Sequence, residues 1–404
     1  MQGVVAIGYY NISTFPCKNL LIRYNLHMKH IITILFFLLT PLFFPLQLQE
    51  LPVTDETFDP IPPEPTPEEL ILEEMTLEEK VGQLFIFGFD GTTLSKESKE
   101  FFQEIHLGGV LLLTKNITSE TQLKQLTTQI QSTNNIPLFI SIDQEGGVVC
   151  RIRWNSILTK SQAEIDGPKE AYATAKSRGE MLDSYGINMN LAPVVEYITN
   201  SNSFMYNRVY RGDVDDIVEK GVGSVEGYTD AGIISVPKHY PGHSNTSPDS
   251  HLSLPVVNIS KDGWSEYIKP FKNILNQTTV DAMMVGHIKF PNIDSNNPTT
   301  LSSEILSKRL VEDLGYEGLI ISDDMEMGAL EDIDTYINMA KRALDAGVDI
   351  LIYSKYTNNN PTVQRDVYEH ILDLVKKEEM DIDKKVLKIL RVKIKYNILN
   401  IEEE

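Results

Sequence analysis

The sequence predicts a (β/α)8 TIM barrel forming a single catalytic domain, and three observations predict it. Eight short apolar runs of β character succeed one another from Lys80 onward. The stretches between them, such as "SETQLKQLTTQIQS" and "INMAKRALDAG", place apolar residues three and four apart, the period of a helix packed on one face. Asp143, Lys238 and His239 lie just past such runs, His287 and Asp323 end theirs, and Arg208 stands in the long loop after the fourth, where a barrel gathers its chemistry on one face. An open doubly wound sheet shares the alternation, but a count of eight favours the barrel.

In chain order, residues 1–49 contain Lys18, Arg23 and Lys29 and no acidic residue. Residues 31–46, "IITILFFLLTPLFFPL", are apolar apart from two threonines and two prolines, and Met28-Lys29 offers a second start with a basic flank. This is the anatomy of an export signal. Pro41 and Pro45 oppose a buried core helix. The segment therefore predicts an exported protein of the cell envelope, secreted or membrane-anchored through residues 31–46. Residues 50–74, rich in proline and glutamate, read as an extended linker. Thr76 and Glu79 stand at capping-box spacing and open the folded domain, residues 75–404. The eight runs span 83–89, 109–114, 137–142, 188–193, 232–237, 282–287, 318–323 and 348–353. The fourth, "NMNLAP", and the sixth, "AMMVGH", carry the weakest strand propensity.

A formal net charge of −21 excludes a nucleic-acid partner, whose phosphates would be repelled. Cys17 and Cys150 are the only cysteines, too few for a disulfide framework or a thiolate metal cage.

"IISDDMEM" ends the most hydrophobic run on two carboxylates. Asp324 suits a cap or turn, whereas Asp323, nearer the strand, suits attack on an electrophilic carbon. "KHYPGHSNTSPDSH", residues 238–251, follows the fifth run. In an extended loop Asp249 and His251 face one side, so Asp249 can hold one ring nitrogen and leave the other to move a proton. His239, His243 and His251 with Asp249 could instead ligate zinc. Lys238 beside them opposes a cation and no HxxxH face is present, so no metal or other cofactor is expected. "SIDQEGGVVCR" places Asp143 at a strand end and Arg151 eight residues later. A carboxylate among hydrogen-bonding groups suits sugar hydroxyls.

"IDQEGGVVCR", "NRVY", "KHYPGHSNTSPDSH" and "IISDDMEM", in this order, resemble glycoside hydrolase family 3. They are most similar to its single-domain β-N-acetylglucosaminidase branch, and the likeness runs from about Met75 almost to the C-terminus. The resemblance implies Asp323 as nucleophile and His251 as general acid/base, with Asp249 its partner. It implies Asp143, Arg151, Arg208, Lys238 and His239 as the residues that hold a terminal N-acetylglucosamine. The activity implied is retaining and exo-acting, through a covalent glycosyl-aspartate, on peptidoglycan fragments or related glycans. A carbohydrate is then the expected partner of a monomer. Three positions depart from the family pattern: Ser244-Asn245 stands for Gly-Asp, Val148 for arginine and Glu196 for aspartate. Two other readings remain open. A phosphorylase would use the uncharged histidine to tolerate incoming phosphate. A degenerate surface sugar-binding protein would have lost turnover.

Overall fold

A computed structural model of the chain describes residues 64–244, 249–354 and 362–401. Eight parallel strands fall within the predicted runs or one residue beyond: β1 (Phe85–Phe87), β2 (Gly109–Leu112), β3 (Phe139–Ile142), β4 (Met189–Asn190), β5 (Ile234–Ser235), β6 (Ala282–Val285), β7 (Leu319–Asp324) and β8 (Ile350–Tyr353). Their order is β5-β4-β3-β2-β1-β8-β7-β6. The two outer strands meet through a parallel bridge between Tyr240 and Val285, where Tyr240 N donates to Met284 O at 2.9 Å and Gly286 N to Tyr240 O at 3.0 Å. The sheet is thereby a barrel, as the eight runs predict.

Strands β4 and β5 are only two residues long for a chemical reason. Both run into a proline, Pro193 and Pro237, which has no N–H to give the ladder. Pairing resumes beyond them at the Val194–Lys238 bridge. β6, read as weak from its methionines, is a complete buried strand, because burial on both faces outweighs local propensity in a parallel sheet.

The connecting helices surround the barrel: α1 (Lys96–Glu104), α2 (Glu120–Gln131), α3 (Pro168–Ser184), α4 (Val214–Asp230), α5 (Lys269–Leu275), α6 (Glu304–Glu312, wound in the wider π form), α7 (Tyr336–Ala346) and α8 (Val363–Lys376). A final helix, α9 (Asp383–Lys395), reaches the floor. There the buried Lys393 donates to Gln83 Oε1 (2.6 Å), Gly108 O (3.0 Å) and Pro137 O (2.7 Å), at the entries to β1, β2 and β3.

The capping box forms: Thr76 Oγ1 accepts from Glu79 N, and Glu79 Oε2 accepts from Thr76 N at 2.9 Å. The linker reading needs correcting at its end. Residues Pro67–Glu74 are helical, Glu68 pairs with Arg391 of α9 at 3.0 Å, and Ile71 and Leu72 pack on the core. Leucine and isoleucine among the acids give this segment an apolar face that the proline-rich stretch before it lacks. The apolar segment 31–46 lies outside the described residues. Among the described residues, no helix is long and apolar enough to cross a membrane.

Candidate active site

Five charged side chains form the base of the site at the strand C-termini. Asp143 follows β3, and its two oxygens accept separately from Lys238 Nζ at 2.8 Å and Arg151 Nη2 at 2.9 Å. Glu145, two residues on and fully buried, accepts from Arg208 Nε at 3.0 Å and Nη2 at 2.8 Å. Lys238 Nζ also lies 2.6 Å from Glu145. Burial alone would raise both acid pKa values, but Lys238 and Arg151 hold Asp143 well below the usual range, and Arg208 and Lys238 lower Glu145. Lys238 is raised: the two carboxylates outweigh its own burial. The result is a rigid, ionised, hydrogen-bonding surface suited to a neutral polyol.

Asp323, near the C-terminal end of strand β7, lines the same cavity as these side chains. Its Oδ1 accepts from Asp324 N at 2.9 Å, and its Oδ2 lies 3.9 Å from His239 Nε2. Burial pushes its pKa up, but the imidazoles of His239 and His287 and the Asp324 amide bring it below the ordinary value. It therefore stands as the carboxylate that a nucleophile requires. Asp324 behaves differently. Burial raises it to about 6, and it holds the turn by accepting from Glu326 N (3.2 Å) and from the Ser354 amide and hydroxyl. His287 is structural: its ring bonds Thr300 Oγ1 at 2.7 Å and the Asp324 carbonyl at 3.0 Å.

The Asp249–His251 pair forms as its spacing predicts. Asp249 Oδ1 accepts from His251 N at 3.0 Å and lies 2.7 Å from Nδ1. An acceptor on Nδ1 leaves Nε2 to exchange a proton with a reactant. Unlike the base of the site, this pair is exposed, with the His251 side chain 52% accessible. Its loop rests on the one that follows β7. Ala329 N donates to Ser250 O at 3.1 Å, and a Cβ on Gly328 would lie 2.7 Å from the His251 carbonyl oxygen. Ser250 and His251 line one cavity of about 210 Å³ together with Asp143, Arg151, Arg208, Lys238, His239 and Asp323. Every predicted site residue except Asp249, which supports His251, thus reaches this cavity. A larger cleft of about 610 Å³ lies at the opposite end of the barrel, beside α9, and none of these residues lines it.

Two carboxylates were not among the predicted site residues. Glu145 could have been found, because it follows Asp143 by two residues and so faces the same side. Glu196 stands in the sequence only as a family departure. Its partners are 43 and 47 residues away: it lies 2.7 Å from His239 Nδ1 and 3.1 Å from His243 Nδ1. Glu196, His239 and His243 bring three possible ligand atoms within 4.8 Å of one another. The sequence argument against a metal therefore needs correcting. These histidines do converge, on Glu196 rather than on Asp249, and Lys238 is engaged with Asp143 and Glu145. The Glu196 oxygens already accept the backbone N–H groups of His239 and His243.

The chain has relatives among known proteins. The family described as "Glycosyl hydrolase family 3 N terminal domain" matches residues 76–392. "Beta-hexosaminidase A" of Pseudoalteromonas piscicida is 31% identical over 299 residues, covering 68% of this chain and 50% of its own. "Beta-hexosaminidase" of Alkalilimnicola ehrlichii is 30% identical over 290 residues, covering 69% of this chain and 83% of its own. Among solved structures, a family 3 β-N-acetylglucosaminidase from Paenibacillus superposes with a TM-score of 0.75 at 30% identity, covering 82% of this chain and 65% of that one. The chain thus spans about half the length of the Pseudoalteromonas relative.

Proposed function

From the premise that this chain belongs to glycoside hydrolase family 3, we propose that it is a retaining exo-β-N-acetylglucosaminidase. One observation carries the reading: a half-buried, ionised Asp323 shares a small polar cavity with a histidine whose other nitrogen faces Asp249. Asp323 attacks the anomeric carbon while His251 gives its Nε2 proton to the leaving oxygen. Water then releases the sugar from the aspartyl ester with His251 as base. Asp143, Arg151, Arg208, Lys238 and His239 hold the hydroxyls and amide of one N-acetylglucosamine. The relatives named for hexosaminidase and N-acetylglucosaminidase activity support this sugar. Peptidoglycan fragments are the proposed source of it. An exported location, by secretion or an anchor at residues 31–46, rests on that apolar segment.

The test is release of 4-nitrophenol from its β-N-acetylglucosaminide by the full chain. His251→Ala should slow release by about 10²- to 10⁴-fold, the usual span for a general acid. A slow 2-fluoro sugar should label the wild type at Asp323 and leave Asp323→Ala unlabelled. Labelling that survives this substitution overturns the assignment. Release that requires phosphate, with sugar 1-phosphate as product, would make the enzyme a phosphorylase. Calorimetric binding without turnover would make it a surface sugar-binding protein.

A further inference from the structure

We propose that Glu196 is a positioning residue that fixes His239 in the tautomer protonated at Nδ1, so that Nε2 presents a lone pair to a hydroxyl donor of the sugar beside Asp323. The inference rests on the sugar-binding reading above for its last clause and on geometry for the rest.

The Glu196 side chain is 1% exposed. Its Oε1 accepts from His239 N at 3.3 Å and lies 2.7 Å from His239 Nδ1; its Oε2 accepts from His243 N. His243 Nδ1 lies 3.1 Å from Oε1 and 3.2 Å from Oε2. Against its burial, the two histidines hold Glu196 well below the usual carboxylate range, so it is ionised and can only accept. Each Nδ1 that faces it must therefore carry the proton. Arg208 Nη2, which can only donate, lies 3.5 Å from His239 Nε2, so Nε2 is the accepting nitrogen and the ring's proton belongs on Nδ1. With that proton on Nδ1, Nε2 is bare. Around Nε2 stand Arg208 Nη2 at 3.5 Å, a donor, and Asp323 Oδ2 at 3.9 Å, an acceptor.

This arrangement has a chemical consequence for Asp323. A proton on His239 Nε2 would be drawn to the aspartate and would tie up its charge. Holding the proton on the far nitrogen leaves Asp323 free to attack. It also makes His239 selective for a group that donates a hydrogen bond. Packing keeps the arrangement in place: the rings of His239 and His243 meet edge to face at 5.1 Å, and Phe204 covers His243 at 5.3 Å.

The decisive measurement is a long-range ¹H–¹⁵N correlation on full-length protein labelled with ¹⁵N-histidine, at pH 7. The His239 signal is assigned by its loss in His239→Gln. A protonated Nδ1 and a bare Nε2 are expected; a proton on Nε2 alone, or on both nitrogens, overturns the proposal. Glu196→Gln should mix the tautomers and lower kcat/KM about 10- to 100-fold, as small misplacements at a reacting centre do. An unchanged His239 tautomer in this variant would leave Glu196 a merely structural residue and overturn the proposal. If Glu196→Gln does not fold, the wild-type spectrum still decides. One equivalent of tightly bound zinc, whose removal by EDTA shifts both Nδ1 signals, also overturns it, because the metal would stand where the protons are placed. Expected spectra without any sugar release would uphold the tautomer and sink the glycosidase reading.

Discussion

Lys238 pairs one ammonium with two carboxylates, the half-buried Asp143 and the buried Glu145, and that economy sets the pH response of the site. Asp143 and Glu145 both have pKa values lowered on folding. Their contribution to stability is therefore complete above the unfolded values, near 4, and is lost as pH falls through the lower folded ones. Asp324 works in the opposite sense. Raised to about 6, it favours the folded state most below its unfolded value and loses that advantage as pH rises through 6. Lys238→Met removes the cation the two acids share while leaving Asp143 with Arg151 and Glu145 with Arg208, and should cost about 1–3 kcal/mol at neutral pH. Urea unfolding at pH 7 and pH 4 checks this, and the deficit should shrink at the lower pH. Asp323 and the Asp249–His251 pair were legible in the sequence because strand-end position and i,i+2 spacing are local signals. Glu196 was not legible, because its meaning lies in contacts across two loops.

At the scale of elements, the dyad loop and the loop after β7 support each other through Gly328. Gly328→Ala would push a methyl group into the His251 and Leu252 carbonyls. Turnover should fall about 10- to 100-fold by misplacing the acid, while thermal unfolding changes little; a denaturation scan beside steady-state kinetics checks both. On the floor, Lys393→Met leaves Gln83 Oε1 and Pro137 O without their donor, while Gly108 O keeps the amide of Phe139. A loss of about 3 kcal/mol in urea unfolding is expected from buried acceptors left unpaired. All eight strands were legible from apolar runs, since parallel strands buried on both faces read as continuous hydrophobic sequence. The helix Pro67–Glu74 was not, because its proline and glutamates resemble the linker they follow, and the Arg391 that pairs with its Glu68 stands 323 residues later.

The whole molecule divides the chemistry between two kinds of support. Asp323, the proposed nucleophile, stands on a buried strand of the barrel, whereas His251, the proposed acid, stands on an exposed arm that begins two strands earlier, after β5, and leans across to it. That separation makes the reaction dismountable. A leaving group that is stable as an anion departs without a proton, so it asks nothing of the arm in the first step. With a 2,4-dinitrophenyl N-acetylglucosaminide, the His251→Ala enzyme should load Asp323 in a fast burst, nearly as the wild type does. It should then stall, because the second step still needs a base to draw a proton from water. Added azide, a nucleophile that has no proton to lose, should restart it and leave as the β-glycosyl azide. One crippled arm would then turn a hydrolase into a sugar-transfer catalyst.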